Sequence, residues 1–199
     1  MLKSMKTHCT ELTHRICRID ALQRIVNRFV RHEDGAAAVE FGFVAAPFLG
    51  LLFAIMETAF VLYAGQVLET AAADSARLIM TGQAQTAGWD AVAFKQQVCS
   101  RVAGLFDCKN GVYIDVQKYT TFANAGGGAN NQGLLDAQGK LQTNNFQYTP
   151  GGPGDIIVAR LMYQWPIYGS LMGLSTLTNM SGGNRLIIAT STFRNEPYQ

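Results

Sequence analysis

Histidine is scarce in this chain of 199 residues: there are three, at His8, His14 and His32, and none follows Gly35. Everything beyond that point lacks an imidazole general base and lacks the two-histidine face of a zinc site. The carboxylates at Asp90, Asp107, Asp115, Asp136, Asp155 and Glu196 are scattered without evident pairing, and serines with no base beside them are ordinary. The glycine-rich stretches at 126–128 and 151–154 are not followed by Lys-Ser or Lys-Thr, which a phosphate loop needs for its cation and its magnesium-binding hydroxyl. These absences predict a protein that is not an enzyme, holds no cofactor or metal, and has no small-molecule substrate. Net charge is also small, +2 in total, so composition gives no reason to expect nucleic acid, whose binders cluster basic residues on one folded face.

Charge is thinnest in residues 41–68, where Glu57 is the only formally charged side chain. A bilayer crossing takes about 20 apolar residues, so this run suffices with turns to spare; a buried core helix is the other reading. Upstream the balance reverses. Residues 1–35 carry seven Lys and Arg against four Asp and Glu, and basic flanks are retained in the cytoplasm because translocating them is costly. The expected orientation therefore leaves this leader inside and puts residues beyond about 70 outside. A signal peptide cut near Ala71, Ala72 and Ala73 is the rival, although its apolar region would run well past the usual length of about 7–15 residues.

The junction of leader and apolar run reads Glu33-Asp34-Gly35-Ala36-Ala37-Ala38-Val39-Glu40-Phe41. It resembles the processing site of type IV prepilin-like proteins, in which a membrane aspartic peptidase cuts after a glycine and a glutamate stands fifth in the mature chain. The resemblance puts the cut between Gly35 and Ala36. Glycine leaves that bond uncrowded, and the small residues after it keep it accessible at the membrane surface. A carboxylate at the start of a span costs roughly 2.5–3.5 kcal/mol if drawn to the bilayer centre, so Glu40 requires a partner or shallow placement. The resemblance implies that the partner is a neighbouring subunit's new N-terminal amine. The plainer reading is a first-turn glutamate favoured by the helix macrodipole and wet among the headgroups.

Further along, Val39-Glu40-Phe41, Pro47, Glu57 and the segment Ala71-Ala72-Ala73-Asp74-Ser75-Ala76-Arg77 are similar to the TadE-like family of tight-adherence pili. The resemblance covers the first 110 residues. It implies a short leader, one N-terminal helix and an extracytoplasmic domain, in a minor pseudopilin of the bacterial inner membrane. Its implied partners are the prepilin-type peptidase and other pseudopilins or pilin subunits of the pilus machine.

Periodicity predicts one helix over residues 36–81, about 70 Å at 1.5 Å per residue, with Gly82 as its stop and Pro47 as a place for a kink. That exceeds any bilayer, so its last turns stand outside. There Leu68, Ala71, Ala72, Ser75, Leu78 and Ile79 recur at helical spacing, a small-residue face that fits either the protein's own sheet or a partner helix. Glu57 is open between two readings. It is wet near the headgroups if the span starts at Ala36, or it is a mid-bilayer assembly contact if the span centres on 41–68.

Past Gly82 the composition becomes that of a soluble domain, residues 82–199. A short amphipathic helix is expected over 89–106, ended by Gly104, and strands over 112–122, 155–168 and 185–193, rich in Val, Ile, Tyr, Thr and Phe. Residues 124–154, dominated by Gly, Asn and Gln, read as a long flexible excursion unable to bury a core. Cys9 and Cys17 lie in the leader, where thiols stay reduced, while Cys99 and Cys108 lie in the predicted extracytoplasmic domain and suit a disulfide. Metal binding by that pair is the alternative, short of ligands because zinc wants four. The expected fold class is thus α+β, a long, partly transmembrane N-terminal helix (span about 41–65) followed by a small domain with a short helix and an antiparallel sheet. The expected role is in assembling an adhesive pilus. The alternatives are a membrane-anchored binding module using the Asn/Gly-rich loop, and a secreted protein released by signal peptidase.

Overall fold

The computed structural model describes residues 34–102, 104–128, 133–169 and 174–198. The leader up to Glu33, with its cysteines and histidines, lies outside the described residues. Helix α1 runs Asp34–Met80, two residues earlier at its start than the apolar pattern indicates. The chain divides into two compact units, one ending at Leu52 and one running Phe53–Gln199. In the first, Val39, Phe41, Phe43, Val44, Phe48 and Leu51 are all exposed, so the helix there is apolar all round, the pattern of a segment made for lipid or for a large core.

In the second unit the same helix becomes two-sided. Val61, Ala64, Leu68, Ala71, Ala72, Ser75, Ala76 and Ile79 are buried at alternating three- and four-residue steps, while Asp74 and Arg77 are exposed. Of the face expected from the sequence, only Leu78 is half-buried rather than buried. Gly82 ends the helix with φ 77°, a left-handed conformation cheap only for glycine. A Cβ there would also stand 2.2 Å from the Tyr198 ring. Helix α2 (Gln83–Thr86) follows. Helix α3 (Ala91–Arg101) starts where the Asp90 carboxylate accepts from the Ala93 amide at 2.7 Å, an N-cap that satisfies one orphan donor. It ends at Arg101, before the expected stop at Gly104. The one-turn helix α4 (Cys108–Gly111) leads directly into strand β1.

Strands β1 (Val112–Tyr119), β2 (Ile156–Pro166) and β3 (Asn184–Arg194) form an antiparallel sheet in the order β1-β2-β3. Tyr163 faces Val112 on one side and Ile187 on the other. Side chains alternate across a pleated sheet, and here both faces are covered. On one face Val112, Val116, Ile157, Ala159, Leu161, Tyr163, Ile187 and Ala189 join the buried stripe of α1 and Phe94 and Val98 of α3 in the main core.

The second face overturns the reading of 124–154 as unable to bury a core. Ala125, on helix α5 (Phe122–Gly128), and Leu134 are buried there. Leu134 packs with Met162 and Leu186, and Leu135, Leu141 and Phe146 close around them. The composition is glycine- and asparagine-rich, yet a few well-spaced apolar residues suffice to seal a sheet face. Between these clusters the buried Asp115 faces its register partner Arg160. The carboxylate accepts from Arg160 Nε at 3.0 Å and from Nη2, from the Gln117 side-chain amide, and from the Gln147 backbone N–H at 2.8 Å. Two buried opposite charges are tolerable when every lone pair is occupied in this way, and the Gln147 contact ties the excursion to β1.

Candidate functional site

The residues singled out for processing stand at the start of α1. Gly35 lies in the helical backbone and is exposed, Ala36 follows within the helix, and Glu40 and Phe41 are exposed, Phe41 at 74%. Helical backbone at Gly35 costs roughly 1 kcal/mol more than it would at alanine, so this first turn is among the easiest of α1 to open. From Ala37 onward α1 is long and apolar enough to cross a membrane, and none of its most apolar window is buried within the protein. A core helix would be covered; this one is not.

Glu57 sits one turn before the buried stripe begins, and it is half-buried. Its carboxylate accepts from the backbone N–H of Tyr168, 2.6 Å from Oε1, and from the N–H of Gly169, 3.0 Å from Oε2 and 3.2 Å from Oε1. Charge-assisted bonds to two adjacent backbone donors are the strong kind. They give the lone acid of the apolar run what an uncharged environment withholds. The partner therefore comes from the same chain, from the turn that follows β2, a contact neither sequence reading foresaw. An acid within an apolar run does signal a need for donors, but nothing local says that they lie 112 residues away.

Around this clasp is an apolar groove of about 450 Å³ lined by Phe53, Met56, Phe60, Trp165 and Tyr168 beside Glu57 and Gly169. Cys99 and Cys108 are joined in a disulfide, Cα–Cα 5.6 Å, which ties the last turn of α3 to α4 and so to the start of β1. Closing this short loop stabilises by roughly 2.5–3 kcal/mol in the loop-entropy model. Among the described residues no group of three or more His, Cys, Asp or Glu is placed to hold a metal ion.

An uncovered helix of membrane-crossing length, joined to one small α+β domain, fits a single-pass membrane protein. More particularly, residues 35–77, the segment that holds Gly35, Ala36, Glu40, Phe41 and Glu57, match the family model of the TadE-like protein. No curated protein and no solved structure matches the chain.

Proposed function

We propose that this protein is a minor pseudopilin that acts in assembly of an adhesive tight-adherence pilus, without enzymatic activity of its own. It is inserted in the bacterial inner membrane with the basic leader in the cytoplasm and the disulfide-bonded domain outside. A prepilin-type aspartic peptidase cuts it between Gly35 and Ala36. The observation that carries this reading is the TadE-like segment itself, in which an uncovered apolar helix directly follows the Gly35-to-Glu40 spacing. The cut frees the Ala36 amine beside Glu40, so the processed helix brings to its neighbours one new positive charge and one carboxylate, and can gather laterally with homologous helices in the same membrane. The disulfide supports the orientation, since such bonds persist in oxidising compartments outside the cytoplasm.

In a strain that makes such pili, deletion of the gene is expected to lower the yield of filaments sheared from the cell surface to below about a tenth of wild type. The intact gene should restore it, and a Gly35→Leu gene, which crowds the scissile bond, should not. Full filament yield from the Gly35→Leu gene would contradict the processing step, and full yield from the deletion strain would contradict the role in assembly.

A further inference from the structure

The clasped groove belongs to no part of the processing and assembly reading, yet it is a sizeable apolar depression on the folded domain. Its walls come from two sources. Phe53, Met56 and Phe60 belong to α1 and lie within the apolar run, while Trp165 and Tyr168 come from the end of β2 and the turn after it. Tyr168 is 83% exposed and shares the groove with the exposed Phe53 and Phe60, a contiguous apolar patch of the kind that marks a contact site. Among the described residues that line the groove, Glu57 alone is charged, and its carboxylate is already engaged by the Tyr168 and Gly169 amides.

Position along α1 says what that cover is. From Ala36 to Glu57 the helix rises about 32 Å, close to the roughly 30 Å thickness of a bilayer's hydrocarbon core. A span that begins at the junction thus reaches its second boundary at the groove. Tyr63, Trp165 and Tyr168 are then the amphipathic rings that concentrate at such boundaries, with apolar bodies toward the tails and polar edges toward water.

We infer that the groove is a membrane-contact site: the turn after β2 seats in the headgroup boundary of the bilayer that α1 crosses, and a phospholipid acyl chain occupies the space between Phe53, Met56, Phe60, Trp165 and Tyr168. This rests on the membrane-spanning reading of α1, whose Phe53, Met56 and Phe60 form one wall of the groove. The domain is then held to the membrane at two points, the helix and this shelf, with Glu57 fastening one to the other. No Lys or Arg is among the described residues that line the groove, so the contact needs no anionic lipid and is insensitive to salt.

The test uses the full chain in phosphatidylcholine vesicles. Trp89 and Trp165 are the only tryptophans, so Trp89→Phe makes Trp165 the sole reporter. Phosphatidylcholines brominated near the headgroup or near the chain end serve as quenchers. Trp165 emission is expected to be blue-shifted and to lose at least half its intensity to the shallow bromines, less to the deep ones, equally at low and high salt. In a companion chain with both tryptophans changed to Phe, Phe48→Trp should be quenched by the deep bromines. Quenching of the Phe48→Trp reporter with none at Trp165 would overturn the shelf and leave the span standing. No quenching at either position would overturn both. Disulfide-linked dimers of Tyr168→Cys in vesicles, together with unquenched Trp165, would mean that a second copy of the chain fills the groove instead.

Discussion

At Glu57 a single carboxylate serves both the apolar run that contains it and the domain that follows. With its two oxygens occupied by the Tyr168 and Gly169 amides, removing it leaves two backbone donors without their acceptor, at a cost of about 1–3 kcal/mol. Glu57→Ala is therefore expected to raise the hydrogen-exchange rate of the Gly169 amide about tenfold or more, one decade for each 1.4 kcal/mol, while amides of β2 opposite β1 keep their protection. An unchanged Gly169 rate would show that the clasp contributes nothing. Tyr148 offers a second test at the same scale. Its ring lies 5.2 Å from that of Phe94, its hydroxyl is buried with no hydrogen-bond partner among the described residues, and burial, aided by the negative Asp90, pushes its pKa up to about 12. Since the folded value lies above the unfolded value of 10.0, the neutral phenol's contribution is complete below pH 10 and is lost as pH rises toward 12. The denaturant midpoint should fall across that window, and Tyr148→Phe, which gives up no hydrogen bond, should flatten the fall without harming stability at pH 7. A slope unaltered in the Phe variant would contradict the assignment.

Among the elements, α1 and the three strands were legible because their signals are local. A charge-poor run, a small-residue stripe at helical spacing and β-branched runs near 112, 155 and 185 need no knowledge of partners, and the strands fall within a few residues of those positions. The packing of the excursion before β2 is hidden for the opposite reason. Its burial depends on Leu134 and Phe146 meeting a sheet face that the sequence cannot show. The stripe also left its own partner undecided between a sheet and another helix, and the sheet takes it. The fit there is close. Ala72 is 3% exposed, so Ala72→Leu should destabilise the domain by about 1–3 kcal/mol through overpacking. Ala73→Leu, one residue on and exposed, should change stability by less than about 0.5 kcal/mol. Equal thermal midpoints for the two variants would show that the stripe is not tightly packed.

For the whole molecule, the plan of a long apolar helix followed by a small α+β domain is written in the distribution of charge and apolar residues. The candidate site was legible only in part. Gly35, Glu40 and Phe41 announce themselves by spacing, and Cys99 and Cys108 by compartment. Tyr168, Gly169 and Trp165 enter only when the fold carries the end of β2 to Glu57. The proposed role requires that α1 be an uncovered membrane helix whose upstream leader is removed after Gly35. Intact-mass spectrometry of the protein purified from membranes of a bacterium carrying a prepilin-type peptidase, compared with the same host lacking it, tests this most directly. The prediction is a mature chain beginning at Ala36 in the first host and the full chain from Met1 in the second. A full-length chain in both hosts, or one beginning near Asp74, would contradict it.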